Sequence, residues 1–374
     1  AASDVYKRQT LITSVKNYKK FLLFGFAILI CIITGCSSQR YAVPISRTGF
    51  AFDTVVTITI YDSQKEETLD HCLMLCEKYE SLFSATQKGS EIWNINHANG
   101  QAVPVSYDTA VLIQSALYYC AQSHGMLDLT LRAISEEWNI SGQMKQTSAV
   151  ADYKYYIPSQ QKLTQLLKHV NYQNVQIIDA NGTEIEYTTT LSDNADYFVI
   201  LKDCQSTIDL GFIAKGYIAD QLKSYLLSEG VKNGIISLGG NVLLIGSKPD
   251  GTPFHVGIQK PFGAVNEVIT TLQKSDCSVV SSGCYERYFI TDNSGKDKTI
   301  YHHIFDTATG YPVQNDLLGV TILSNSSLEG DALSTYCYIL GVEKGLEYIR
   351  SLENVEAIFI TKDYEIISSS NTSA

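Results

Sequence analysis

The stretch GIISLGGNVLLIG, residues 234–246, decides the fold. Aliphatic and β-branched runs lie on both sides of the pair Gly239-Gly240, which predicts strand, tight turn, strand. The same punctuation recurs outward in both directions. Thr54–Tyr61 (TVVTITIY) reads as a strand, as do Val175–Ile178, Phe198–Leu201 and Thr207–Leu210. Further strands are expected at 254–258, 278–281, 286–291 and 318–323, and Val355–Ile360 with Glu365–Ile367 closes the chain as a hairpin. Helical spacing marks Gln64–Phe83, through Leu69, Leu73, Cys76 and Leu82. It also marks Tyr107–His124, Ala214–Ser228, Ser327–Leu340 and 344–351, with Gly125, Gly230 and Gly341 as stops. Residues 139–165 are polar and read as an irregular connection. Strands outnumber helices and come in hairpin-like runs, so the expected class is α+β, a mainly antiparallel sheet with packed helices, in one domain over 48–374.

The chain has 374 residues, 45% hydrophobic and 18% charged, enough for a substantial core. Lys16, Lys19 and Lys20 precede an apolar run from Phe21 to Ile33, too short to span a bilayer as a helix but suited to a signal-peptide core. The run ends in Ile33-Thr34-Gly35-Cys36, which resembles a bacterial lipobox. Residues 1–35 are therefore read as a lipoprotein-type signal peptide and 36–47 as a lipidated Cys36 and tether. That places the protein on the extracytoplasmic face of a bacterial cell membrane, held by acyl chains. Without residues 1–35 the chain keeps 23 basic and 38 acidic side chains, a net charge of −15. Such a body repels nucleic-acid phosphates, so no nucleic-acid partner is expected. Of nine cysteines, seven remain after Cys31 and Cys36 are set aside, an odd number that argues against a complete disulfide framework. Cys72 and Cys76 read as small buried residues.

Four segments carry candidate chemistry. In TIDLGFIAKGYIAD, residues 207–220, Gly211 permits a turn before a helix that starts near Ala214; helix starts and the charge of Lys215 suit phosphate. Neither a P-loop nor a GxGxxG spacing is present. Gly239-Gly240 allows close approach of a ligand or backbone. In Tyr301–Pro312 the adjacent His302 and His303 point to opposite sides of a strand, so one of them can face a pocket. In Gly330–Thr335, Asp331 and Thr335 lie four apart on one helical face, and their hard oxygens suit Mg²⁺. The competing reading is that Asp331 caps its own helix. A serine hydrolase is disfavoured, since the nearest match to GxSxG, Ile235–Gly239, has Ile in the first glycine position.

Together these segments resemble the ApbE family of FAD:protein FMN transferases, from about Phe52 to Gly341. Phe52-Asp53-Thr54 is similar to the family's M-G-T opening, and Ser84 through Ser90-Glu91-Ile92 to Asn96 to its next segment. Gly125–Thr130 resembles G-x-[FL]-D-x-[ST], Asp209–Tyr217 resembles DLGGIAKGY, and Leu238–Asn241 the GG[ND] turn. Ser281–Arg287 resembles [ST]SGxYxR, His303–Pro312 resembles H-I-x-D-P-x-T-G-x-P, and Asp331–Thr335 the A-D-A-x-[SD]-T motif. Departures are Phe52 for Met, Phe212 for the second Gly, Thr307 for Pro and Gly330 for Ala; Thr86 stands where members often carry an aromatic residue.

The resemblance implies an ApbE-like, T-fold-related architecture that binds FAD in a cleft with Mg²⁺ on the pyrophosphate. It implies Asp331, Thr335 and the Ala214 carbonyl as metal ligands. Phe52, Met126, Leu127, Asp128, Asp209, Lys215, Gly240 and Phe305 are implied at the FAD site. His303 is the candidate for handling the acceptor's proton or holding a phosphate. The implied reaction moves FMN from FAD to a Thr or Ser hydroxyl of an acceptor protein, with AMP leaving. The acceptor is expected to be a flavoprotein subunit of a membrane or extracytoplasmic electron-transport system. The alternatives are a FAD pyrophosphatase giving FMN and AMP, and a non-catalytic flavin-binding lipoprotein, for which the Asp331/Thr335 pair would be superfluous.

Overall fold

Gly239 takes φ +67°, a left-handed conformation that glycine adopts without steric cost, and the chain turns there as its sequence requires. The computed structural model describes residues 43–63, 65–149, 153–264, 266–291 and 298–370. The expected signal peptide, Cys36 and the tether as far as residue 42 lie outside the described residues.

Strands are numbered along the chain. The main sheet contains β1 (Ile45–Ala51), β2 (Thr54–Ile60), β6 (Gly234–Leu238), β7 (Asn241–Ile245), β10 (Ser278–Gly283), β13 (Leu317–Ser324), β14 (Glu356–Thr361) and β15 (Ile366–Ser368). They run in the order β1-β2-β6-β7-β10-β13-β14-β15, and every neighbouring pair is antiparallel. The register Leu238↔Asn241 closes the β6–β7 hairpin over the two glycines. Smaller antiparallel sheets join β3 (Val103–Val105), β5 (Tyr197–Leu201) and β4 (Val175–Asp179), then β8 (Phe254–Gln259) with β9 (Val268–Lys274), and β11 (Tyr288–Thr291) with β12 (Thr299–His302). The expected mainly antiparallel α+β class is what the chain adopts.

Helices α1 (Glu66–Phe83), α2 (Glu91–Asn96), α3 (Tyr107–Gln122), α4 (Arg132–Trp138), α5 (Ile140–Ala149), α6 (Gln160–Leu167), α7 (Ala214–Ser228) and α8 (Ser327–Arg350) complete the described elements. Helix α8 packs on β10, β13 and α7. All eight residues of β13 are buried, as a central strand covered on both faces demands. Gly341, at φ 78°, breaks α8 where the sequence has its stop. One core cluster joins α1, α3 and α7 to β2, β6 and β7, a second joins α8 to β8, β10, β13 and β14, and a third gathers Trp138, Leu163, Phe289 and Phe305.

The structure corrects three sequence readings. Residues 139–165 hold helices α5 and α6, fixed by tertiary contacts that polar composition hides. Buried Gln143 donates to the Trp138 carbonyl and accepts from Tyr156 N–H, and Leu163 is wholly buried. Thr207–Leu210 is not a strand of any sheet. Only Thr207 makes a bridge, to Leu131, and the Asn96 side chain bonds both the N–H and the carbonyl of Ile208, taking the place of a neighbouring strand. Residues 45–47, read as tether, already belong to β1.

Candidate active site

Ile213 precedes α7 and has no side-chain oxygen to cap it. The missing acceptor comes from α8: Asp331 Oδ2 accepts the Gly216 N–H at 2.9 Å. This requires the helices to touch backbone to backbone. A Cβ at Gly216 would stand 2.3 Å from the Ser327 carbonyl oxygen and 2.6 Å from Leu328 Cα. The other carboxylate oxygen of Asp331 lies 3.7 Å from Lys215 Nζ, at ion-pair rather than hydrogen-bond distance. Thr335 Oγ1 is one turn on, 3.5 Å from the Asp331 carbonyl and 3.4 Å from Ser282 Oγ, both long for O–H···O bonds. A carboxylate and a loosely engaged hydroxyl therefore lie one turn apart on α8 beside the start of α7, hard oxygen donors of the kind that a small divalent cation takes. Among the described residues no three His, Cys, Asp or Glu side chains converge as a metal cluster.

Beside this set, Ser282 Oγ lies 2.7 Å from Ser334 Oγ, which fastens the end of β10 to α8. The chain then turns through Glu286. A Cβ on Gly240 would come 3.0 Å from the Ser281 carbonyl and 3.1 Å from Glu286 Oε1, so the glycine is needed first by the protein's own packing. The Glu286 side chain reaches solvent, yet protein crowds around it. Desolvation pushes its carboxyl up to about 7, against the pull of Lys215 and Arg287 and with the push of Asp331. Sequence reading quoted Glu286 within a motif but gave it no role; a single acid between Tyr285 and Arg287 carries no signal until the fold brings Lys215 near.

The two histidines divide at the end of β12, whose last residue is His302. His302 is buried, its Nε2–H donating to the Val313 carbonyl at 2.8 Å, and burial pushes it down to about 4. His303 is half-buried, and its Nδ1–H donates to the Arg287 carbonyl at 3.3 Å, which leaves Nε2 with its lone pair. Burial first, then the charge of Arg287, pushes His303 down to about 3. Without a bound anion it is neutral.

Asp128 is buried, and its oxygens accept from Thr130 N–H at 2.8 Å, Thr130 Oγ1 at 2.5 Å and Tyr172 N–H at 2.9 Å. Burial raises its pKa while these bonds lower it. It borders a crevice of ≈ 390 Å³ with His124, Gly125, Asn171, Tyr172 and Thr307, within the usual size range of ligand pockets. Met126 is half-buried. Leu127 and Phe305 do not line an open cleft with their side chains: Leu127 is 3% exposed in the first core cluster, and Phe305 is 5% exposed against Trp138. The resemblance implied both at the FAD site, but their side chains are taken up by the core. Phe52 is half-buried, packs on the first cluster and takes φ 56°, with its N–H held by Glu80 at 3.0 Å. Such a conformation is strained for a bulky residue. Asp209 links this region to the helix pair. Its N–H donates to the Leu129 carbonyl, its carboxylate accepts from Gly211 N–H, and the Gly211 carbonyl accepts from Lys215 Nζ at 3.4 Å.

Fold and site define a class: an antiparallel α+β domain in which two helix starts meet beside the end of a strand of the main sheet. The ApbE family model matches residues 52–359, and the chain belongs to the ApbE family. A FAD:protein FMN transferase of Klebsiella pneumoniae (strain 342) is 35% identical over 309 residues, 82% of this chain and 86% of that protein. A FAD:protein FMN transferase of Treponema pallidum (strain Nichols) is 28% identical over 359 residues, 91% and 92% of the two chains. The crystal structure of the ApbE protein from Thermotoga maritima aligns with a TM-score of 0.73 at 27% identity, covering 87% of this chain and 96% of that one.

Proposed function

We propose that this chain transfers the FMN half of FAD to a Thr or Ser hydroxyl of an acceptor protein and releases AMP. The observation that carries the reading is Asp331 set against the start of α7 beside Lys215, with Thr335 one turn on, within a chain whose relatives are named for this reaction. Asp331, Thr335 and Ala214 are the residues to hold Mg²⁺. Bound there, the ion supplies polarisation of phosphoryl oxygens and offsets charge on the leaving AMP. Lys215 and the start of α7 bind the diphosphate by charge and N–H groups. The acceptor oxygen bonds to the FMN-side phosphorus, the bond from that phosphorus to AMP breaks, and the hydroxyl proton passes to His303 Nε2. Diphosphate charge raises the proton affinity of His303 by offsetting Arg287 and Lys215. Met126, Asp128, Asp209, Gly240 and Phe52 border the space assigned to FAD, with Leu127 and Phe305 supporting it from the core.

The same proposal anchors the protein by lipid on Cys36 to the outer face of a bacterial membrane, supported by the apolar run Phe21–Ile33 and the ITGC sequence that ends it. Cys36→Ser then moves the protein from the detergent phase to the aqueous phase on partitioning. The activity is tested by mixing the chain with FAD, Mg²⁺ and a protein bearing a candidate acceptor Thr. Flavin fluorescence that stays on the acceptor band in a denaturing gel supports transfer. Free FMN and AMP with no labelled protein make the enzyme a pyrophosphatase, and absence of AMP sinks both.

A further inference from the structure

Helices α7 and α8 meet through two pairs of positions: Gly216 and Asp220 on α7, Ser327 and Asp331 on α8. A spacing of four puts each pair on one helical face. The contacts between them cross. Asp331 accepts the N–H of Gly216, in the first turn of α7. In return, Asp220 accepts from the start of α8: Ser327 N–H at 2.9 Å, Leu328 N–H at 3.0 Å and Ser326 Oγ–H at 2.8 Å. Each helix is capped by a carboxylate of the other.

Local sequence leaves both caps incomplete. Ile213 offers α7 none, and Ser326 reaches only Glu329 N–H at the start of α8. The first two N–H groups of α8 need an acceptor from elsewhere, and Asp220 is placed to accept both. From the sheet side, fully buried Asn241 accepts from Ser327 Oγ–H at 2.7 Å and holds the same turn. Asp331 sits one turn beyond that anchored turn. Its position relative to the Ala214 carbonyl is therefore set by how firmly α8 is pinned to α7.

We propose that Asp220 is a positioning residue for the cation site: by capping α8 from α7 it keeps Asp331 in reach of Ala214 without itself touching cation or substrate. This rests on reading Asp331 as a metal ligand. The test titrates Mn²⁺ into the FAD-loaded protein and reads free Mn²⁺ by electron paramagnetic resonance, alongside thermal unfolding. Asp220→Asn keeps one acceptor oxygen but turns an NH2 donor toward the other of the two N–H groups. It is expected to weaken Mn²⁺ binding about tenfold or more, the range for residues that orient metal ligands. Leu222→Ala, at a buried position of α7 outside the clasp, is expected to unfold earlier yet keep wild-type Mn²⁺ affinity. Asp220→Ser removes the carboxylate without placing an amide donor there, and gives the same direction if Asp220→Asn does not fold. A folded Asp220 variant with wild-type affinity overturns the proposal, as does an equal loss in Leu222→Ala. Wild-type protein that binds no Mn²⁺ in the presence of FAD instead overturns the metal-site reading itself.

Discussion

Gly216→Ala is the smallest change that separates α7 from α8. The added methyl would stand 2.3 Å from the Ser327 carbonyl oxygen and 2.6 Å from Leu328 Cα. Both are backbone atoms, so no side chain can swing aside, and the helices must part by about 1 Å to restore ordinary contact. Overpacking of this kind costs about 1–3 kcal/mol. The same movement stretches the 2.9 Å bond from Gly216 N–H to Asp331, and a hydrogen bond to a charged group is worth about 1.5–3 kcal/mol. Replacing glycine by alanine in a helix returns about 1 kcal/mol. The net expectation is a loss of about 1.5–5 kcal/mol, read as a lower denaturant midpoint by circular dichroism. AMP release from FAD should fall further than stability alone explains, because Asp331 shifts with α8. A variant with an unchanged midpoint and unchanged AMP release would refute the close-contact account of the site.

Asp331→Asn can keep the Gly216 bond through its remaining oxygen but removes the charge. It should fold normally and lose about 10²-fold or more in AMP release, on the scale of deleting one electrostatic stabiliser; undiminished release excludes Asp331 as a ligand. Trp138→Phe removes the 2.7 Å bond from Nε1–H to the Gly310 carbonyl in a fully buried site. It should cost about 1–3 kcal/mol, seen by thermal melting, and an unshifted melt contradicts that bond. His302 gives a pH signature. Its folded pKa of about 4 lies below the usual 6.5, so its contribution is complete above about 6.5 and is lost as pH falls through 4. His302→Gln should flatten the decline in melting temperature across that window, and an unaltered slope counts against the assignment.

Much of the fold was legible because it depends on neighbours in sequence. The β6–β7 hairpin follows from apolar runs around two glycines, and Ala214–Ser228 has the bounds its sequence expectation gave. Gly125 and Gly230 take positive φ where they were read as stops. The buried cysteines Cys72 and Cys76, at 0% and 2% exposure, have thiols pushed up to about 12 by burial and belong to the core, as read. Helices α5 and α6 were not legible from polar composition, because Gln143 is held by Trp138 and Tyr156, and Leu163 is buried against Phe289 and Phe305 far along the chain.

The sequence alone determined the strand-and-turn pattern, the acidic balance of the body and the one-turn spacing of Asp331 and Thr335. These rest on backbone periodicity, residue charge and the steric freedom of glycine, all local properties. It left open whether Asp331 caps its own helix. Tertiary structure decided that Ser326 caps α8, while Asp331 caps a helix 115 residues earlier in the chain. It likewise set Glu286 beside Gly240 and sent His302 to the core and His303 to Arg287. The physical reason is that a carboxylate satisfies whichever unpaired N–H the packing brings within reach, and packing depends on the shape of every buried face together.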